Sequence, residues 1–150
     1  MKKKRTLFII AVLAIAASAF YGGQAYFRPN TDIIYLKPAF TIQTSSLLQE
    51  FKSDDATASR KYLGKVVATE GIILSIEKGE PEYFTVVLGD QNLSSSVRCS
   101  IDAKHLSNLS FLKKGSWVGI KGVFTGYNKD ETGLLGSDIQ LNRCMVFDKK

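Results

Sequence analysis

The chain has 150 residues, of which 45% are hydrophobic, and a formal net charge of +6, which fits one globular domain with an added apolar segment. Most of the excess charge precedes Pro29, because 15 Lys and Arg residues after that point face 14 Asp and Glu residues. The near-neutral remainder excludes the broadly basic surface that is typical of nucleic-acid-binding domains.

The first predicted element is a membrane anchor or signal segment at residues 1–27. Leu7–Phe27 contains no charged side chain, and a membrane span needs about 20 mostly apolar residues. The basic residues before it predict a cytoplasmic N-terminus, with the rest of the chain outside the cytoplasmic membrane. The alternative is a signal peptide cleaved at Ala17-Ser18-Ala19, which would give a secreted protein. Both interpretations place the C-terminal domain in the periplasm or another extracytoplasmic space.

Residues 28–43 are predicted to form a juxtamembrane stalk, because they contain two prolines and the turn signal Asn-Thr-Asp. Residues 44–63 then predict two helices. The polar residues 53–55 can end the first helix and cap the second. Gly64 suits the position after the second helix, where a positive φ is needed.

From Lys65 onward the hydrophobic pattern predicts strands separated by turns. The predicted strands are residues 66–76, 83–88, 95–101, 117–127 and 139–147, with a helix at 103–112 between the third and fourth. The alternation slips near Gly71, which indicates a bulge or bend. This order is that of a five-stranded OB-fold Greek-key barrel. We therefore predict a mainly β fold, an OB-fold domain over residues 44–147 with a leading helical segment. An open α+β sheet is the alternative.

No pattern for catalysis, a cofactor or a metal is present in the sequence. His105 is the single histidine, and we expect it to be solvated on the short helix. Two cysteines and one histidine without a CxxC spacing do not make a standard zinc site. We therefore expect a protein that is not an enzyme and that has no catalytic residues, no metal and no cofactor.

Cys99 and Cys144 lie on the third and fifth predicted strands, which are neighbours in an OB barrel. A disulfide between them is possible in an oxidising compartment if the strand registers match. The alternative is a pair of buried free thiols. Either role would be structural.

Several stretches resemble the bacterial tRNA-anti-like OB-fold family, short membrane-anchored or exported proteins of mostly unknown function. The matching residues are Lys61–Val67, Gly71, Val97–Cys99, Leu112–Gly115, Val118, Ile120–Gly122, Gly126 and Asp138–Cys144. The resemblance covers about residues 28 to 147, and it implies the OB fold without implying catalysis. The loop at 129–136 departs from it, because it is longer than the usual fourth turn of the family.

A ligand-binding face is predicted on the second and third strands and their flanking loops, where OB folds bind their ligands. The candidate ligand-binding residues are Tyr83, Thr85, Arg98, Ser100, Tyr127 and Lys129. Tyrosine can stack on a base or a sugar, and the basic side chains can meet phosphate or carboxylate groups. The alternative is that Tyr83 packs across the strands and that the basic residues are ordinary surface charge.

These observations predict a binding or interaction module displayed on the outer side of the cytoplasmic membrane. Its expected partners are the membrane, through the N-terminal helix, and an envelope protein, a peptide or a glycan. A single-stranded nucleic-acid-binding protein is the alternative. We favour it less, because neutralisation of phosphates by basic side chains supplies most of the non-specific affinity for nucleic acids. The part of the chain after Pro29 is close to neutral.

Overall fold

The computed structural model describes residues 31–79, 83–90, 94–109 and 111–147. A compact unit begins at Asp32. Its strands are β1 (Phe40–Gln43), β2 (Val66–Gly79), β3 (Tyr83–Gly89), β4 (Ser96–Ile101), β5 (Trp117–Asn128) and β6 (Asp138–Phe147). Its α-helices are α1 (Thr44–Ser53) and α2 (Asp55–Tyr62), and 3-10 helices lie at Ile33–Tyr35 and Ala103–Leu109.

Strands β2 to β6 close into a barrel. Their order is β2-β3-β4-β6-β5, and β5 pairs again with β2. The β4–β6 pair is parallel, and the other pairs around the barrel are antiparallel. The mainly β prediction is confirmed, and the strand order is that of an OB-type barrel rather than an open sheet.

The long strand β2 serves both sides of the barrel. Its first half pairs with β5 and its second half with β3. The register against β3 shifts between Ile73 and Ser75, so the predicted irregularity exists but lies slightly beyond Gly71. An irregularity of this kind bends the strand and interrupts the ladder only locally, so β2 can turn from one partner to the next.

The two leading helices are confirmed, and they cover part of the core. The Asp54 side chain caps α2 by accepting a hydrogen bond from the Thr57 N–H at 3.0 Å. Leu47 and Phe51 of α1 and Tyr62 of α2 are buried in one cluster with the inward side chains of the barrel. The polar break at 53–55 therefore separates two helices that each place apolar side chains in the core.

Residues 32–43 differ from the predicted stalk, because they pack against the domain. Ile33 is fully buried, and the Lys121 ammonium group donates to the carbonyl oxygens of Ile34 and Leu36 at 3.2 and 3.0 Å. Residues 40–43 form β1, which pairs in parallel with β2. The sequence pattern of β1 spans four residues, which is too short for its alternation to be distinguished from that of a loop.

The segment between β4 and β5 is a 3-10 helix over Ala103–Leu109 rather than the predicted longer helix. Its apolar side chains, and Leu112 after it, still pack on the core. The expectation of a solvated His105 is wrong, because the side chain is buried and its Nε2 lies 2.8 Å from Asp32 Oδ1. Asp32 is 73 residues away in the chain, so local sequence gives no sign of this contact.

The predicted anchor or signal segment, residues 1–27, lies outside the described residues. In the part of the chain that the structure does describe, no helix is both long enough and apolar enough to cross a bilayer.

Candidate functional site

A concave surface of about 250 Å³ lies on the outer face of β3 and β4, beside the end of β2. We call it the strand-face site. Four of the six predicted ligand-binding residues line it, namely Tyr83, Thr85, Arg98 and Ser100. The other lining residues are Glu77, Lys78, Gly79 and Gln140.

The strand registers explain why these four residues meet. Thr85 pairs with Ser100 across β3 and β4. Successive side chains of a strand point to opposite faces. Val86 and Cys99 belong to the barrel core, so Thr85, Arg98 and Ser100 lie on the other face of these strands, where Thr85 is itself buried. The prediction that these strands share a polar outer face therefore follows from period-two alternation.

The strand-face site holds a fixed aromatic ring among polar groups of mixed charge. The hydroxyl groups of Tyr83 and Ser100 are hydrogen-bonded to each other, and Tyr83 is 50% exposed. The Arg98 guanidinium group is paired with the Glu77 carboxylate, and both side chains are partly exposed. The positive charge of Arg98 is therefore largely balanced within the site.

Gln140 belongs to the strand-face site but was not among the predicted residues. It is the register partner of Arg98 in the parallel pair of β4 and β6. Parallel pairing joins strands that are distant in sequence. The OB strand order alone could have pointed to β6, whereas the choice of residue needed the register.

The structure does not bring Tyr127 and Lys129 to the strand-face site. Tyr127 packs against Phe51 of α1, with ring centroids 4.9 Å apart, and the Lys129 ammonium group lies 2.9 Å from the Asp55 carboxylate. This contact raises the pKa of Lys129. Both residues line a different cleft, of about 450 Å³, beside the break between α1 and α2. Sequence analysis could find these helices but could not place them over this end of the barrel.

Asp130 organises the loop between β5 and β6. Its carboxylate accepts hydrogen bonds from the Thr132 hydroxyl at 2.6 Å, and from the N–H groups of Leu135 and Gly136 at 2.7 and 2.8 Å. The hydrogen bond from the Thr132 side chain, with those from the backbone, holds the pKa of Asp130 well below its usual value of 3.8. The loop is thus closed around one ionised carboxylate.

We expect this loop to keep its structure in mild acid. A carboxylate with a lowered folded-state pKa contributes stability above its unfolded-state pKa, and loses that contribution as pH falls through the folded value. The amide proton shifts of Leu135 and Gly136, followed by NMR from about pH 6 downward, should stay constant until well below the usual pKa of an aspartate. Asp130→Asn should change these shifts at every pH, whereas Glu131→Gln should not. A midpoint near 3.8 or above in the unmodified chain would contradict this assignment.

Cys99 and Cys144 are both buried free cysteines in the structure. Their strands are neighbours, as predicted, and Cys144 is the register partner of Ile101. Burial raises the pKa of the Cys144 thiol well above its usual value, and a hydrogen bond with Cys99 adds to this effect. The disulfide stays a prediction, and the thiols as described are unreactive core groups.

No set of three or more His, Cys, Asp or Glu side chains within the described ranges could hold a metal ion. His105 is engaged with Asp32 and does not line the strand-face site.

The fold is similar to that of several solved proteins, whereas no curated protein sequence matches the chain. A lipoprotein of Klebsiella pneumoniae, provisionally named as nucleic acid-binding, has 22% identity and a TM-score of 0.57, covering 81% of this chain and 100% of its own. The asparaginyl-tRNA synthetase of Entamoeba histolytica has 22% identity and a TM-score of 0.40, covering 58% of this chain and 21% of its own. That of Pyrococcus horikoshii has 15% identity and a TM-score of 0.40, covering 60% and 21%.

The sequence profile of one family matches residues 1–137, which is most of the chain. This match agrees with the barrel topology described above. The chain belongs to the tRNA_anti-like family.

Proposed function

We propose that the chain is a non-enzymatic binding module of the cell envelope that holds a peptide or a glycan on the strand-face site. The observation that carries this proposal is the half-exposed Tyr83 ring over a concave, polar surface. The ligand we infer is extended and carries little net charge.

Tyr83 is suited to stacking because its position is fixed before any ligand arrives. Its hydroxyl group is hydrogen-bonded to Ser100, which restricts the ring, and half of the residue stays exposed. An aromatic ring offers a large contact area for a sugar ring or a planar peptide group. Preorganisation of this kind lowers the entropy that binding would otherwise cost.

The groups around Tyr83 favour a ligand that both donates and accepts hydrogen bonds. Gln140 offers an amide and Ser100 a hydroxyl group, while Glu77 and Arg98 bring one charge of each sign. A polyanion would have to compete with Glu77 for the Arg98 guanidinium group. Peptides and glycans match the balanced charge of the site better.

The envelope location is also a proposal, and two observations support it. Leu7–Phe27 is an uncharged apolar run that follows four basic residues, as expected for an anchor that displays the domain outside the cytoplasmic membrane. The similar protein of Klebsiella pneumoniae is a lipoprotein by name.

Single-stranded nucleic acid is a second candidate ligand, and one observation favours it. The Tyr83 ring lies in the same site as Arg98, and an aromatic platform with a basic neighbour can hold a stacked base next to its phosphate. The name of the Klebsiella pneumoniae protein points the same way.

Binding to three probes should separate these candidates. The full chain in a nonionic detergent would be titrated with an uncharged extended peptide, an N-acetylated oligosaccharide and a single-stranded oligonucleotide, with chemical shifts followed by NMR. We expect the peptide or the oligosaccharide to bind, and Tyr83→Ala to weaken that binding about 10-fold or more, since aromatic stacking contributes about 1–3 kcal/mol. Tyr35→Ala is the matched control, because Tyr35 is exposed but does not line the site.

Two outcomes would count against the first proposal. If Tyr83→Ala and Tyr35→Ala had the same affinity as the unmodified chain, the strand-face site would not be the binding surface. If only the oligonucleotide bound, with an affinity that fell steeply with added salt, the second candidate would replace the first.

A further inference from the structure

One buried polar side chain among the described residues has no hydrogen-bond partner, and it lines the strand-face site. Five polar residues are buried in the described part of the chain. Four of them form side-chain hydrogen bonds, namely Thr44, Thr69, Ser96 and His105. The fifth is Thr85, which is 4% exposed, and within the described ranges its hydroxyl group is hydrogen-bonded to no other residue. Burial of a hydroxyl group without a hydrogen bond is costly, so a ligand that supplied one would recover that cost.

The Thr85 hydroxyl group is open to the strand-face site although the residue is largely covered. No side-chain oxygen of the described residues is both sealed from solvent and without a partner, so the Thr85 oxygen keeps contact with the concave surface that the residue lines. Glu77 of β2 is a register partner of Thr85. The ion pair of Glu77 with Arg98 of β4 joins the two strands on either side of β3. Thr85 therefore lies on the floor of the site.

Gln140 is a second neutral side chain of the site that is free to bind. Its backbone carbonyl oxygen accepts a hydrogen bond from the Thr125 hydroxyl group at 3.3 Å, whereas its side-chain amide has no partner in the described part of the chain. It lies on β6, two strands from β3 in the order β3-β4-β6, which corresponds to about 10 Å. About three extended residues span that distance. A ligand that reaches both Thr85 and Gln140 therefore lies across the strands.

The charged side chains of the site are engaged within the protein, in contrast to these two neutral ones. Arg98 and Glu77 form an ion pair, and the Lys78 ammonium group lies over the Phe84 ring, 5.7 Å from its centroid. Recognition of a ligand therefore falls mainly to uncharged groups, each of which can donate and accept a hydrogen bond.

A secondary amide is the ligand group that matches these features best. It is planar, and it carries a donor and an acceptor at its edges. Its flat face can therefore stack on the Tyr83 ring while an edge hydrogen-bonds to Thr85, which lies two residues further along the same face of β3. A sugar hydroxyl group supplies hydrogen bonds but has no flat face to stack.

We propose that the strand-face site recognises its ligand through secondary amide groups. One amide stacks on Tyr83 and hydrogen-bonds to the Thr85 hydroxyl group, and another hydrogen-bonds to the Gln140 side chain. This inference rests on the proposed function, because it concerns the same site, and it narrows the ligand to an extended chain with repeated amides. Peptide bonds and the acetamido groups of amino sugars share this chemistry, and binding measurements distinguish the two sources.

Two matched pairs of ligands test the amide requirement. The full chain, in a polyoxyethylene detergent without sugar groups, would be titrated with tri-N-acetylchitotriose and with cellotriose, which carries a hydroxyl group in place of each acetamido group. The second pair is N-acetyltrialanine N-methylamide and its analogue with ester links in place of amides. Affinities come from chemical shifts in NMR spectra.

We expect the amide member of at least one pair to bind about 10-fold more tightly than its analogue, or more. The reason is that a ligand without the amide leaves polar groups of the site unpaired. The pair that shows this preference identifies the source of the ligand, a peptide or an N-acetylated glycan.

Variants of the two neutral side chains place the effect in the site. Thr85→Val keeps the shape of the side chain but removes the hydroxyl group, and it should weaken binding of the preferred amide ligand about 5-fold or more. Gln140→Met should act in the same way, whereas Thr85→Ser keeps a hydroxyl group and should keep the preference for the amide. Thr41→Val and Gln43→Met are the matched controls, because both residues are exposed on β1 and do not line the site.

Two results would overturn this inference and leave the proposed function intact. In the first, both members of each pair bind equally well, and Tyr83→Ala still weakens their binding. In the second, Thr85→Val and Gln140→Met both bind the amide ligand like the unmodified chain. The ligand pairs need no substitution, so they decide the question even if Thr85→Val does not fold. Absence of binding by every peptide and oligosaccharide would instead overturn the proposed function, and this inference with it.

Discussion

Replacement of Phe51 by alanine should lower the free energy of unfolding by about 3–5 kcal/mol. Phe51 is 2% exposed, and its ring contacts Tyr62, Phe124 and Tyr127, with centroid distances of 5.9, 5.4 and 4.9 Å. It therefore joins both helices to β5. Its loss removes buried apolar area and leaves a cavity that the surrounding rings cannot fill.

Chemical denaturation of the full chain in detergent measures this effect, with Phe111→Ala as the matched control. Phe111 is 82% exposed, so we expect its replacement to change the free energy of unfolding by about 0.5 kcal/mol or less. Equal effects of the two substitutions would mean that the leading helices do not pack on the barrel as described.

Replacement of Gly136 by alanine should lower the free energy of unfolding by about 2–4 kcal/mol, from two causes that add. Gly136 has φ +82°, which is unfavourable for residues with a side chain, and a Cβ atom there would overlap the carbonyl oxygen of Ser94. The loop would have to move away from Ser94. That movement would break the hydrogen bond from the Gly136 N–H to Asp130.

Gly133→Ala separates the two causes, because the residues share a loop and a backbone conformation. Gly133 has φ +69°, but a Cβ atom added there would have no heavy atom of another residue within 4 Å beyond its chain neighbours. We therefore expect a loss of about 1–2 kcal/mol from the backbone alone. Chemical denaturation measures both variants, and limited proteolysis should cut the Gly136→Ala loop faster. If Gly133→Ala were as damaging as Gly136→Ala, the close approach to Ser94 would be absent in solution.

The five strands of the barrel could be predicted because their signals are local. Val97, Cys99 and Ile101 alternate with polar residues, and all three are buried. Gly64 has the positive φ that its position after α2 predicted. Such patterns follow from the local backbone geometry of strands and helix ends, so they can be read from a short stretch of sequence.

The features that sequence analysis missed depend on contacts between distant residues. His105 is buried beside Asp32, which the fold brings from another part of the chain. Tyr127 and Lys129 lie away from the strand-face site because Phe51 and Asp55 meet them instead. Periodicity tells which face of an element is apolar, but it does not tell which neighbour will cover that face.

Strand β2 has a further consequence for how the domain comes apart. It is hydrogen-bonded to β1, β3 and β5, so separation along any one of these seams leaves it held by the other two. We therefore expect that local opening of one strand pair leaves β2 in place. Accordingly, we expect the barrel to unfold in one cooperative transition, as small single domains usually do.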